Sequence, residues 1–140
     1  WLKNVGLVIM CGCYAALYGA TLLEMFVAGI AAIVLPFVYK LDAKLGLGMF
    51  ITNLVSIIPI VIIICFLQAN VFPSIHIGIP IIGAIMPAVP GTAITNAIRD
   101  TLRGDYNSGT ARAVEAAVTA LSISIAVAIG LLIGGGVNPI

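Results

Sequence analysis

Charge is what this sequence has least of. Only 8% of its 140 residues are Asp, Glu, Lys or Arg, and 62% are hydrophobic. An ordinary soluble domain is roughly 25% charged, because its surface needs charged side chains to stay dispersed. The composition therefore excludes water as the main solvent and predicts an apolar surface that faces lipid or other membrane helices.

Basic patches and clusters of metal ligands are also missing. A net charge of +1 is too small a positive field to hold a nucleic acid. Cys11, Cys13 and Cys65 stand in apolar runs, and we interpret them as buried thiols rather than as a metal or redox site. His76 is the only histidine, and we interpret it as exposed because no nucleophile or further ligand accompanies it. We expect no catalytic site, no metal, no cofactor and no enzyme activity.

Long apolar stretches separated by charges predict an all-α, polytopic membrane protein. One crossing needs about 20 apolar residues at 1.5 Å rise each. The charges and turn residues divide the chain, taken as one transmembrane domain over residues 1–140, into about five helices. Their expected ranges are 2–20, 21–39, 48–69, 77–103 with a break near Pro90 and Gly91, and 111–133.

The boundary between the first two helices rests on a short segment. A single helix through both would be far longer than the bilayer is thick, so a tight hairpin is expected around residues 19–21. The second helix then begins near Thr21, and Glu24 is expected to reach the headgroups as an interfacial residue.

The cations set the orientation. If the first helix starts in the cytoplasm, all six fall on that side: Lys3, Lys40, Lys44, Arg99, Arg103 and Arg112. The positive-inside rule then predicts five spans with a cytoplasmic N-terminus and an external C-terminus. Five is odd, so the chain cannot hold two equal inverted halves, and we expect a partner to provide the other half.

Small residues form a stripe along the last helix. They recur at every fourth position, at Ala116, Ala120, Ser124 and Ala128, and Gly130 and Gly134 continue the pattern. Such stripes let helices approach closely. We favour internal packing against the other four spans, and a subunit interface is the alternative.

Polar residues concentrate between Pro90 and Asp105. Pro90 donates no amide and Gly91 reaches backbone angles closed to other residues, so the fourth helix is expected to break there and restart. Broken helices form substrate sites in transporters, since a new helix start favours anions. Thr92 could cap that start or present its hydroxyl to a ligand. A kinked helix that simply leaves the membrane is the alternative.

The restarted helix is amphipathic. One face carries Thr92, Asn96, Arg99 and Arg103, and another carries Ile94, Ile98 and Leu102. Arg99 is the candidate contact for a substrate carboxylate, because guanidinium binds carboxylate in a bidentate fork. Anchoring of the topology is the alternative role for the arginines.

Glu115 is expected about one turn inside the fifth span. Thr119 and Ser122 continue its face. An acidic group at that depth is costly and is usually paired or functional. We interpret Glu115 as a proton relay or as the ion-pair partner of Arg99 or Arg112.

The segment from Met86 onward resembles the signature of the threonine/serine exporter family. It reads Met-Pro-Ala-Val-Pro-Gly-Thr-Ala-Ile-Thr-Asn-Ala-Ile-Arg-Asp, followed by Gly104-Asp105, and the resemblance continues through Ser108-Gly109, Ala111-Arg112 and Glu115-Ala116 to Gly130. The lead-in at Trp1-Leu2 also looks like the start of that family's first membrane helix. The chain departs from the family at Gly19-Ala20, where two glycines are common. By position, the family's characteristic residues fall on Pro90, Gly91, Asn96, Arg99, Asp100, Gly104, Gly109 and Glu115.

The resemblance implies a five-helix membrane domain that follows a soluble cytoplasmic region in complete members. Trp1 is not a translation start, so we expect residues upstream. A second five-helix domain, fused or separate, is also implied. Members are associated with proton-motive-force-dependent export of threonine and serine, and some split versions with dicarboxylates such as succinate.

These expectations describe a secondary transporter subunit in the bacterial inner membrane that exports small carboxylate-bearing solutes. The substrate site is assigned to Pro90, Gly91, Thr92, Asn96 and Arg99, proton coupling or an ion pair to Asp100 and Glu115, and a structural motif to Gly104, Asp105 and Gly109. The expected partners are lipid, the substrate, and a second five-helix subunit or domain or further copies of the chain. A passive channel or a non-transporting assembly subunit is the alternative.

Overall fold

The computed structural model describes residues 2–137, which form seven α-helices and no strand. The helices are α1 (Leu2–Leu17), α2 (Leu22–Ala31), α3 (Val34–Leu45), α4 (Met49–Asn70), α5 (Gly78–Ile85), α6 (Gly91–Leu102) and α7 (Tyr106–Val137). A 3-10 turn, Met86–Ala88, follows α5. The all-α prediction is confirmed.

The helices supply three candidate membrane spans, or four if a bent pair counts as one, with a shorter apolar helix beside them. Three segments are each long and apolar enough to cross a membrane, namely Leu22–Leu45 (α2 with α3), Met49–Asn70 and Tyr106–Gly135. Gly78–Ala88 and Gly91–Leu102 together make a fourth span that is bent by 53°. α1 is shorter and lies antiparallel to α2, since Gly12 faces Met25 and Gly29 faces Val8. The protein is a multi-pass membrane protein whose fourth span is broken at Pro90 and Gly91, as expected.

The first hairpin forms near the expected position. α1 ends at Leu17 and α2 begins at Leu22, and between them Gly19 has a φ of +82°. Within residues 2–137 only glycines have positive φ. Ala20 therefore needs no left-handed backbone, so alanine fits at this position.

The second and last spans are longer than the ranges expected from the sequence. The second continues past residue 39 to Leu45, where Gly46 (φ +61°) donates its N–H to the Asp42 carbonyl at 2.7 Å. Lysines do not end it, because their stems let the ammonium reach water from within the helix. α7 begins at Tyr106, five residues before its expected start, and also continues through Gly134 and Gly135. In an apolar medium the helical hydrogen-bond ladder outweighs the low helix propensity of glycine.

The Glu24 side chain is buried rather than interfacial. It is only 2% exposed. Its Oε2 accepts hydrogen bonds from the Thr21 N–H at 2.7 Å and from the Thr21 hydroxyl at 3.0 Å. Its Oε1 accepts from the His76 N–H at 2.9 Å. The prediction of a headgroup contact is wrong, because the carboxylate caps α2 and ties it to the loop before α5; the His76 side chain itself is exposed.

One of the three cysteines lies on the surface of the chain. Cys11 and Cys65 are buried, but Cys13 is exposed. Residues two apart point to different sides of a helix, so Cys11 and Cys13 cannot both face the core. The expectation of a buried thiol is wrong for Cys13.

Helices α4 and α7 pack side by side and run parallel. The paired residues advance together along both helices: Met49 with Thr119, Asn53 with Ser122, Val61 with Gly130, and Cys65 with Gly134. The contact is polar near the start of α4 and apolar farther along. Because the two helices start at the same end of the bundle, the α3–α4 and α6–α7 connections lie at that end together.

Only part of the small-residue stripe on α7 is used for internal packing. Ala116, Gly130 and Gly134 are buried, whereas Ala120, Ser124 and Ala128 are exposed. At 3.6 residues per turn, each step of four residues rotates by about 40° around the helix. A strict every-fourth stripe therefore winds away from α4, and the prediction of internal packing is wrong for its middle.

The closest approach between α4 and α7 gives a matched test. A Cβ at Gly130 would lie 2.7 Å from the Val61 Cβ, whereas a Cβ at Gly135 would meet nothing within 4 Å. Both Gly→Ala changes gain helix propensity, but overpacking costs about 1–3 kcal/mol. We expect Gly130→Ala to have a lower free energy of unfolding than Gly135→Ala by about that amount. Equal values from titration with a denaturing detergent, followed by circular dichroism, would contradict this packing.

Candidate functional site

The break in the fourth span is nearly self-sufficient in hydrogen bonds. The Val89 N–H donates to the Met86 carbonyl at 3.2 Å, and the Gly91 N–H donates to the Val89 carbonyl at 2.8 Å. Pro87 and Pro90 have no N–H to satisfy. The chain can therefore turn by 53° here without the cost of several unpaired amides.

α6 restarts immediately after this break and presents polar side chains at its surface. Thr92 and Arg99 are exposed, whereas Pro90 and Asn96 are half-buried. The helix begins at Gly91, and Pro90 occupies the cap position without a side-chain hydrogen bond. Capping by Thr92, one of its two expected roles, is therefore wrong, because the helix starts two residues earlier than that role requires.

The apolar residues of α6 are also at the surface. Ile94, Ile98 and Leu102 are all exposed, and Leu102 is 83% exposed. α6 instead packs on α7 through the small residue Ala97, which is buried. The amphipathic pattern thus separates two exposed faces of α6, and neither is its main contact with the rest of the chain.

The glycines and the aspartate of the predicted structural motif form the α6–α7 hairpin. Gly104 has a φ of +86° in the turn. The Asp105 Oδ1 accepts the Ser108 N–H at 3.1 Å and so caps the start of α7. A Cβ at Gly109 would clash with the Thr101 hydroxyl, so glycine allows α6 and α7 to touch.

An ion pair closes the same hairpin. The Arg112 Nε lies 3.0 Å from the Asp100 Oδ2, and both side chains are partly exposed. The sequence interpretation offered Glu115 as the partner of Arg112, and this is wrong. On two antiparallel helices Asp100 faces Arg112, whereas Glu115 is exposed on α7.

Glu115 also lies nearer the end of the bundle than expected. Thr119, one turn farther along α7, contacts Met49, which is the first residue of α4. α7 thus extends about 20 Å beyond the start of α4 at 1.5 Å per residue. The cost of burying an acid does not apply to Glu115, because its side chain is exposed.

The sequence interpretation missed a buried polar cluster between α4 and α7. The Asn53 Nδ2 donates to the Ser122 Oγ at 2.8 Å, and the Ser122 Oγ donates to the Thr119 carbonyl at 2.7 Å. Thr52 and Ser56 are buried on the same side of α4. The signal was present, since Thr52, Asn53 and Ser56 interrupt an apolar run at helical spacing, and polar groups in spans face the protein interior.

The sequence profile of one family, ThrE, described as "Putative threonine/serine exporter", matches residues 1–134. The chain belongs to the ThrE family. The match includes the break, the hairpin and the polar cluster, so these features lie within the family's own domain. Searches of the curated proteins and of the solved structures find no significant match. ThrE is a transporter family, and this agrees with the multi-pass fold.

The hairpin ion pair of this ThrE chain can be measured by a double-mutant cycle. Both partners are partly exposed, so we expect a coupling free energy of about 0.2–1 kcal/mol between Asp100→Asn and Arg112→Gln. The matched control combines Asp100→Asn with Arg99→Gln, whose side chain points elsewhere. Coupling that is no larger for Arg112 than for Arg99 would contradict the pairing.

Asp105 provides a pH test of the start of α7. Hydrogen bonds from the Ser108 side chain and N–H lower the pKa of the Asp105 carboxyl. The cap therefore stabilises α7 fully above the unfolded-state pKa and is lost as the pH falls through the lowered folded-state pKa. We expect the ¹³C shift of the Asp105 carboxyl to titrate below the usual aspartate range. Hydrogen exchange of the Ser108 amide at acid pH should be faster than in the Asp105→Asn variant. The Asn side chain keeps an acceptor but does not titrate.

Proposed function

We propose that this chain is one membrane half of a secondary transporter that exports small carboxylate-bearing solutes across the bacterial inner membrane. The candidate substrates are threonine and serine, or dicarboxylates such as succinate. Membership of the ThrE family supports the export of threonine or serine. The proposal extends this to a site, a coupling group and a partner.

The observation that carries the proposal is the broken fourth span. A 53° bend separates α5 with its 3-10 turn from α6, and α6 then presents Thr92 and Arg99 to its surroundings. A continuous helix would keep its backbone amides within its own ladder. A restarted one directs the positive end of its dipole, and the first-turn amides that follow the paired Gly91 N–H, toward an anion.

Arg99 is the proposed carboxylate contact. It is exposed on α6, and no acid of the described residues forms an ion pair with it. Its guanidinium can therefore take a carboxylate in a bidentate fork. Asn96, about one turn nearer the break, could add a hydrogen bond to the same ligand.

Asp100 is the better of the two candidates for proton coupling. Its carboxylate pairs with Arg112 and so joins α6 to α7. Protonation of Asp100 would remove that ion pair and free α6 to move, together with any solute bound at Arg99 next to it. Glu115 is exposed on α7, and no ion pair within the described part of the chain depends on it.

A second membrane half is proposed to complete the site. Thr92 and Arg99 both lie at the surface of this single chain, and a transporter must enclose its substrate between two gates. The exposed apolar residues Ile94 and Ile98 beside them would pack against such a partner or against lipid. If α1 also crosses the membrane, the resulting five spans would leave no pair of equal inverted halves within this chain.

The cations support a cytoplasmic N-terminus. Lys40 and Lys44 lie at the end of α3, and Arg103 lies in the α6–α7 turn. The parallel packing of α4 and α7 brings these two connections to the same end of the bundle. The positive-inside rule would make that end cytoplasmic and put the end of α7 outside.

Substitution of Arg99 tests the site. We expect Arg99→Gln to reduce counterflow of labelled threonine, serine or succinate by roughly 10- to 100-fold, because a charge-assisted hydrogen bond to carboxylate is lost. The measurement uses proteoliposomes that contain the chain and its partner half, with an imposed pH gradient. Arg103→Gln, which removes the same charge one turn away, should retain most of the flux.

The outcomes separate the alternatives. Unchanged transport by Arg99→Gln would exclude the carboxylate contact, whereas equal losses in both variants would indicate a general effect of charge. Flux in the unaltered protein without saturation or dependence on the pH gradient would indicate a passive channel. No flux at all from this half with its partner would indicate an assembly subunit.

A further inference from the structure

A continuous apolar groove runs between α1 and the α2–α3 span. The part nearer the α1–α2 turn, called the outer part here, has a volume of about 370 Å³, and Gly12 and Gly29 are among its lining residues. The part along α3, called the inner part, has a volume of about 490 Å³ and reaches Lys40. Val8, Ile9 and Ile33 line both parts, so the two form one groove.

The inner end of this groove is basic. Phe37 and Lys40 line both the inner part and an adjoining hollow, and Lys44 lines that hollow too. Residues 37, 40 and 44 share one face of α3 by their spacing. Asp42 is on another face, and its Oδ1 accepts the Leu47 N–H at 3.1 Å. An apolar trough thus opens onto two lysines on one helix face.

We propose that this groove is a binding site for an anionic phospholipid, with one acyl chain in the trough and the phosphate at Lys40 and Lys44. Lysine stems extend along apolar surface and carry the ammonium to headgroup level, where basic pockets between membrane helices bind anionic headgroups. Under the proposed orientation, this lipid belongs to the cytoplasmic leaflet. The site does not depend on export or on the residues assigned to it.

The stretch of the groove between Lys40 and Gly29 fits one leaflet. Eleven residues separate Gly29 from Lys40, which is about 16 Å at the rise of a helix. Half of the hydrocarbon core is about 15 Å. An acyl chain anchored at Lys40 therefore ends near Gly29, within the outer part of the groove.

Charge favours a lipid over a protein as the occupant. A helix from a partner chain lying in the trough would cover Lys40, which is exposed here, and would have to provide an acid in compensation. A phospholipid brings its own phosphate at the correct depth.

Native mass spectrometry of the complete protein tests the site with two probes, dioleoylphosphatidylglycerol and dioleoylphosphatidylcholine. We expect tighter binding of the anionic lipid. Lys40→Gln should weaken that binding roughly fivefold and Lys40→Gln with Lys44→Gln about thirtyfold, with little change for the zwitterionic lipid. Arg103→Gln, the same loss of charge at the same end of the bundle, is the matched control and should leave both affinities unchanged.

A groove-filling variant keeps the test decisive. Ile9 is 59% exposed and lines both parts of the groove, so Ile9→Trp fills the trough without disturbing the core. We expect it to weaken both lipids. Equal affinity for the two lipids, a loss in Lys40→Gln no larger than in Arg103→Gln, or unchanged binding in Ile9→Trp would each overturn the proposal. A protein dimer that replaces bound lipid and is lost in Ile9→Trp would overturn it as well.

Discussion

The need to pair every backbone amide inside hydrocarbon governs this structure. It explains why α7 continues through Gly134 and Gly135, although glycine disfavours helices. It also explains the form of the one break in the fourth span, where prolines remove donors and short-range bonds satisfy Val89 and Gly91. Hydroxyls follow the same rule and donate to carbonyls of their own helix, at Thr52, Ser56, Thr95, Thr101, Thr119, Ser122 and Ser124.

Helices α4 and α7 connect the α6–α7 hairpin to the rest of the bundle. They are parallel, with a polar contact near their shared end and a close glycine contact farther along. The two helices touch closely at Gly130 and Gly134, whereas a few hydrogen bonds join them near their shared end. The hairpin of α6 and α7 projects beyond the start of α4, so movement there need not disturb the close contact.

The two proposed sites lie on different helices and differ in chemistry. The α6–α7 hairpin carries exposed polar groups and the Asp100–Arg112 pair, as a solute site needs. The α1–α3 side carries an apolar groove that ends in lysines, as a lipid site needs. Both lie at the end of the bundle where the cations collect, so a single asymmetry of charge would orient the protein and attract anions to both sites.

The sequence by itself determined the solvent, the helical class, the approximate number of spans and the break at Pro90 and Gly91. These follow from composition and from local backbone chemistry, which need no neighbours. Only the tertiary structure decided that Asp100 pairs with Arg112, that Glu24 is buried, and that Asn53 meets Ser122. Those contacts join residues far apart in the chain, and periodicity gives the face of a helix but not the helix that packs against it.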